Sequence, residues 1–230
     1  VEREILEGRL KPGDKLPTET EFATQFAVNR STVREGIRLL EESGLVRREE
    51  GRRLFVARPE TSVLAQRMSN AMVMHAVTFR ELWETMMALE PMAAELAAAN
   101  ATPAQIAALV ANLAETRAVL ADRQNVTRLD IDFHALVAEA SGNRALLLSR
   151  DALGRLFYPA FEAVISGLPT APDRLLTAHT AIFEAIRAGD AAEARRWMER
   201  HIMDFKRGFE RMGLDLAVPI SLPTGQEKTK

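Results

Sequence analysis

Asp130 and His134 stand four residues apart in Leu129-Asp130-Ile131-Asp132-Phe133-His134, so on a helix both side chains leave the same face. His179, in Leu176-Thr177-Ala178-His179-Thr180-Ala181-Ile182, and His201, in Met198-Glu199-Arg200-His201-Ile202-Met203, each follow the apolar stripe of their own segment. A lone histidine on an apolar face reads as a core residue. Three of the chain's four histidines in such positions, with a carboxylate one turn from the first, read instead as ligands for a divalent cation. Imidazole nitrogen and carboxylate oxygen suit Zn, Ni, Mn or Fe, and without a thiolate the set does not choose among them. His75 falls outside the pattern and reads as an interhelical or surface residue.

A second chemistry lies near the start of the chain. In the stretch from Val28 to Leu40, Val33, Ile37 and Leu40 recur at helical spacing, while Ser31, Thr32, Arg34 and Arg38 occupy the other sides. Hydroxyls and guanidiniums hydrogen-bond phosphate oxygens, and arginine also matches the paired acceptors of guanine in the major groove.

The flanking elements must present that helix. Val1 to Gly8 reads as the end of a helix, with Ile5 inward and Gly8 as its stop. After the Lys11-Pro12-Gly13-Asp14 turn, Thr18 is placed as an N-cap, with Glu21 as its capping-box partner. Phe22, Ala23 and Phe26 give this short helix its apolar side, and Ala27-Val28-Asn29 joins it to a second helix beginning near Arg30, a helix-turn-helix. Gly44 is placed for a C-cap, and Leu45 to Val56 reads as two short strands around a turn at Gly51, the wing of a winged helix. Arg47, Arg48, Arg52, Arg53 and Arg58, added to Arg30, Arg34 and Arg38, give a local basic excess suited to double-stranded DNA.

Beyond Arg58 alanine and leucine dominate and helical periodicity takes over. Helices are predicted at roughly 62–75, 79–99, 103–121, 126–141, 144–166, 172–188 and 190–211, forming an antiparallel bundle. Leu214 to Lys230, with Pro219, Pro223 and Gly225, reads as a flexible tail. The expected fold is therefore mostly α, an N-terminal winged helix-turn-helix followed by an all-helical antiparallel bundle. The predicted division is a DNA-binding domain over 1–58, a linker and first bundle helix over 59–78, a metal- and effector-binding domain over 79–213 and the tail over 214–230.

The 30 basic and 32 acidic residues almost cancel, so net charge decides nothing and local patterning must. The chain has no cysteine, which excludes disulfides and thiolate ligands and fits a reducing cytosol. No apolar run approaches the roughly 20 residues that span a bilayer. The first residues show no basic-then-apolar leader, and the expected location is cytoplasmic.

The order Leu10-Lys11-Pro12-Gly13-Asp14-Lys15-Leu16-Pro17-Thr18-Glu19, then Val28 to Glu35, then Glu42-Ser43-Gly44-Leu45-Val46 resembles the DNA-binding domain of GntR-family bacterial transcription regulators. The resemblance implies that Arg30, Ser31, Thr32 and Arg34 face the operator, and that Gly51, followed by Arg52, approaches the minor groove. This chain has Thr20 where the family often carries Arg, and Gly51-Arg52-Arg53-Leu54 where its wing commonly reads Gly-Arg-Gly-Thr.

The C-terminal part resembles the FadR-type ligand-binding domain, the FCD domain, through Asp130-x-x-Phe133-His134, the turn Ala140-Ser141-Gly142-Asn143, the segment His179 to Asp190 and Met198-x-x-His201-Ile202. That resemblance implies a divalent ion on Asp130, His134, His179 and His201, with a small carboxylate effector, such as a sugar acid or hydroxy acid, or water completing its shell. Met86 stands where the family usually places an arginine near the effector. Arg150, interrupting the stripe Leu146, Leu153, Phe157, Phe161 and Val164, is a candidate for the effector carboxylate, with Arg80 and Asn143 as weaker ones.

Together these imply a homodimeric, metabolite-responsive regulator, a repressor rather than an activator, on a pseudo-palindromic operator. Two alternatives stand beside it: a metal-dependent enzyme using the same site, and a constitutive DNA binder with a structural metal. The enzyme reading needs a further acid or base beside the metal, and Asp132 points away from the Asp130/His134 face.

Overall fold

A computed structural model describes residues 1–49 and 53–221 and divides the chain into two compact units, Val1–Leu64 and Ala65–Lys230. The division falls inside the segment expected to be linker and first bundle helix.

In the first unit α1 (Glu2–Leu6) ends before Gly8, which takes a left-handed φ of 76°. α2 (Glu19–Gln25) starts on the Thr18 cap, with the reciprocal Glu21 bond in place. α3 (Arg30–Glu42) starts on Asn29, whose side chain accepts from the Thr32 amide at 2.8 Å. Ala27 holds the turn between them at φ 53°, a conformation unusual for a residue with a Cβ. β1 (Val46–Glu49) and β2 (Arg53–Val56) pair antiparallel, Val46 opposite Val56 and Glu49 opposite Arg53. Leu16, Phe22, Val33, Ile37, Val46, Leu54 and Val56 form the core, with Leu40 packed at its edge. Alternation along β2 sends Leu54 and Val56 inward and leaves Arg53 exposed. The wing turn, including Gly51 and Arg52, lies outside the described residues.

The second unit is a helical bundle: α4 (Thr61–Met74, which begins in the first unit), α5 (Phe79–Asn100), α6 (Pro103–Ala118), α7 (Arg123–Ala140), α8 (Arg144–Gly167), α9 (Ala171–Ala188) and α10 (Ala191–Arg211). α7 begins earlier than its apolar periodicity predicts because Asp122 caps it, accepting from the Asn125 amide at 3.2 Å. α10 packs on α5 and α9, and α7 on α8, α6 and α5.

Two apolar clusters fill the bundle. One includes Ala93, Phe133, Leu146, Ile182 and Met198, and the other includes Met86, Val126, Leu153, Leu175 and Phe205. At the seam five helices each insert a buried polar side chain: Glu90 between Met86 and Ala93, Asp130 between Val126 and Phe133, Arg150 between Leu146 and Leu153, His179 between Leu175 and Ile182, and His201 between Met198 and Phe205. His134 completes this layer, one turn from Asp130.

The C-terminal stretch differs from the expected tail at its near end. Leu216 and Ile220 are buried in the second cluster, and Phe79 and Arg80 amides donate to the Val218 and Leu216 carbonyls at 3.1 and 2.9 Å. Two apolar anchors, a bridge between Thr78 and Pro219 and these backbone bonds offset the ordering entropy that polar tails do not recover. Residues 222–230 lie outside the described residues.

Candidate metal centre and helix-turn-helix surface

Asp130, His134, His179 and His201 are all buried, and one ligand atom from each lies within 4.8 Å of the others. His201 Nε2 is 3.2 Å from both His134 Nε2 and His179 Nε2, and Asp130 Oδ1 lies 3.3 Å from His179 Nε2 and 3.8 Å from the other two. Three ring nitrogens facing one point cannot all be served by one another's protons. A cation with metal–nitrogen bonds of about 2.0–2.1 Å holds neighbouring ligand nitrogens about 3.0–3.4 Å apart, the spacing found between His201 and the other two rings. Asp130 Oδ1 is buried and accepts no hydrogen bond, as expected of an oxygen reserved for a cation. By donor chemistry and spacing, these residues fit a divalent cation.

Electrostatics support the same reading. Burial drives the His179 and His201 rings well below their ordinary 6.5, keeping them neutral and able to coordinate. Burial pushes the Asp130 carboxyl up, against the pull of His134, His201 and Arg150, so a neighbouring cation favours its ionised form. Phe133 stacks on His179, 3.8 Å between ring centres, and fixes the plane of that imidazole.

Glu90 was not anticipated from the sequence. Its Oε2 lies 2.9 Å from His134 Nδ1 and its Oε1 accepts from Arg150 Nε at 3.0 Å, with no part of the residue exposed. Burial opposes ionisation, yet His134 and Arg150 together hold the Glu90 carboxyl down at about 2. The same contact raises His134 against the effect of burial. An available signal was the stripe Leu82, Met86, Ala93, Ala97, on which Glu90 also falls.

Arg150 is buried and borders a cavity of about 30 Å³ shared with Met86, Asp130, His134, Tyr158 and His201. Gly154 lies alongside it, where a Cβ would meet the guanidinium at an ordinary contact distance of 3.4 Å. A wider groove of about 680 Å³ runs along α9 and α10, but of the four cluster residues only His201 borders it. The structure does not bring the two weaker effector candidates to the cluster. Arg80 is exposed at the start of α5, and Asn143 uses its side-chain oxygen to cap α8, accepting from the Ala145 and Leu146 amides at 3.1 Å. Asp132 pairs with Arg128 at 2.9 Å, away from the cluster.

On the helix-turn-helix, Arg30, Ser31, Thr32 and Arg34 are all exposed. The Ser31 and Thr32 hydroxyls donate to Asn29 Oδ1 at 2.6 and 2.8 Å. The expected basic excess is partly paired within the unit: Arg34 with Glu19, Arg38 with Glu35 and Glu42, and Arg48 with Glu19 and Glu41. Exposed pairs of this kind are worth about 0–1 kcal/mol, so a phosphate can displace the carboxylate.

The chain thus combines a helix-turn-helix and an antiparallel hairpin with a helical bundle that has a polar centre. The chain belongs to the gntR family of bacterial regulatory proteins, whose model matches residues 1–56, and it carries an FCD domain, matched over 81–204. It is similar to the HTH-type transcriptional regulator LutR of Bacillus subtilis, 31% identical over 86% of this chain and 92% of that protein. The HTH-type transcriptional repressor NanR of Citrobacter rodentium is 30% identical over 93% of this chain and 84% of its own length. Among solved structures, Streptococcus agalactiae GntR superposes with a TM-score of 0.64 at 26% identity, over 89% of this chain and 95% of that one. These families comprise regulators rather than enzymes. Among the described residues no helix is long and apolar enough to cross a membrane.

Proposed function

We propose that the chain is a cytoplasmic, homodimeric repressor that grips a pseudo-palindromic operator through α3 and the wing, and whose grip is governed by a small carboxylate bound beside a divalent cation. The observation that carries this reading is the convergence of Asp130, His134, His179 and His201 within 4.8 Å in a chain of a regulatory family. These four residues would hold the cation, with Zn, Ni, Mn and Fe all compatible with nitrogen and oxygen donors. When bound, it supplies positive charge and open positions for a carboxylate oxygen.

The fixed charges support an anionic effector. Asp130 and Glu90 contribute two negative charges and Arg150 one positive, so a divalent cation leaves the buried site with one positive charge. A monocarboxylate cancels it. Arg150 borders the cavity and can donate to that carboxylate. Arg30, Ser31, Thr32 and Arg34, with Gly51 and Arg52 of the wing, would contact DNA, Arg30 and Arg34 offering the charges. For the acid to loosen the operator it must bind the non-gripping arrangement more tightly, since equal affinity for both shifts nothing.

A thermal-shift screen of metal-loaded protein against sugar acids, hydroxy acids and dicarboxylates tests the reading, because a ligand that prefers the folded state raises its melting temperature. Stabilisation by a small acid only when the cation is present is the expected result. Equal shifts with and without chelator would remove the cation from the effector site.

A further inference from the structure

Glu90 is wholly buried at a position between two apolar clusters, where an apolar side chain avoids the cost of desolvation, and its carboxylate is paired with the Arg150 guanidinium. Its two oxygens serve different helices. Oε2 meets His134 Nδ1 on α7 at 2.9 Å, and Oε1 meets Arg150 Nε on α8 at 3.0 Å. His134 turns its other nitrogen toward His201, and Arg150 borders the adjoining cavity.

A neutral imidazole has one N–H, and the acceptor it meets decides which nitrogen carries it. An ionised carboxylate can only accept, so the proton sits on Nδ1 and the Nε2 lone pair faces the cluster. An amide at position 90 cannot serve both partners. With its oxygen toward His134, its NH₂ opposes the guanidinium. With its oxygen toward Arg150, its NH₂ donates to Nδ1 and moves the imidazole proton to Nε2, where it blocks a ligand position.

We propose that Glu90 is a positioning residue joining the cation and anion halves of this site: it fixes His134 as the Nδ1–H form and holds Arg150 at the cavity wall, so cation and carboxylate affinity fall together when it is lost. The inference deepens the function proposed above and rests on it for the cation and the acid.

The test uses the full chain and Zn²⁺ as the probe, with affinities read by competition against a chelator. Wild type is compared with Glu90→Gln and with the double variant Glu90→Leu/Arg150→Met. The double variant removes both buried charges together and leaves neither of them unpaired, so it is the one expected to fold. About 10- to 100-fold weaker Zn²⁺ binding is expected in both variants. The metal-free double variant should melt within a few degrees of wild type. Ring ¹⁵N spectra of metal-free protein in alkaline buffer should show His134 protonated on Nδ1 in wild type and a mixture of forms in the double variant.

Wild-type Zn²⁺ affinity in the double variant would overturn the role of Glu90 alone. Should that variant not fold, the wild-type spectrum decides: a His134 proton on Nε2 overturns the proposal and one on Nδ1 upholds it. Wild-type protein that binds no Zn²⁺ overturns the function proposed above and the joining role with it.

Discussion

Glu19 of α2 accepts from Arg34 of α3 at 3.0 Å, so a carboxylate already occupies the guanidinium of the helix-turn-helix surface that a DNA phosphate would take. The Arg34 hydrogen bond keeps the Glu19 carboxyl below its ordinary range. Phosphate therefore has to displace a charged competitor. Glu19→Gln is expected to tighten binding to random DNA and to steepen its salt dependence by up to about one unit of slope, the amount one additional phosphate contact contributes. Fluorescence anisotropy across a salt series reads both effects. An unchanged slope would mean that Arg34 does not reach the backbone.

Arg30 has no such restraint among the described residues and stands exposed at the start of α3. If it reads a base edge, Arg30→Ala should cost about 1–3 kcal/mol on the operator and relax preference at one base position. Equal losses on operator and random DNA would make it a phosphate anchor.

Gly44 closes α3 at φ 76°, and a Cβ there would lie 3.0 Å from the Pro59 Cα. The left-handed conformation alone costs a residue with a Cβ roughly 1–2 kcal/mol, and the Pro59 backbone must also move. Gly44→Ala is expected to lower the urea midpoint of the first unit's transition while leaving the cation affinity of the bundle untouched. An unchanged midpoint would show that this helix end rearranges freely.

The pH response of metal-free protein follows from the buried rings. Burial holds His179 and His201 well below the 6.5 of an unfolded chain, so the unfolded state binds more protons there, and stability falls as pH drops below about 6.5. His134, raised by Glu90, works in the opposite direction, but it is one ring against two. Glu90, held at about 2 against an ordinary 4.5, adds stability that is present above about 4.5 and lost as pH falls toward 2. Urea midpoints measured with chelator should therefore decline on acidification from neutral, and further into the acid range. A cation, which requires neutral rings, should make the first decline steeper. A midpoint independent of pH between 7 and 5 would contradict the burial of neutral histidines, on the order of two pH units being enough to span the ordinary imidazole titration.

Much of this architecture is readable locally. The Thr18–Glu21 box, the Gly44 helix end and the period-two wing strands are short-range patterns, and the spacing of Asp130 and His134 already places them on one helix face. His179 and His201 are placed by the stripes of their own helices, although their meeting depends on the bundle. What escaped is non-local. Arg150 stands out on an apolar stripe, but its partner Glu90 lies 60 residues earlier, where an acid in an alanine-rich helix looks solvated. The Glu19–Arg34 pair likewise forms only when two helices pack. Leu216 and Ile220 are too sparse among prolines and polar residues to announce that they dock against Phe79.

The most direct measurement is operator binding by the metal-loaded chain as a small monocarboxylate is titrated in, run in parallel on His179→Ala and on chelated wild type. Release of DNA by the acid from loaded wild type, with little or no response in the other two samples, is the expected result. Release that proceeds equally in all three, or loaded wild type that ignores every acid while still holding its cation, would contradict a cation-centred switch.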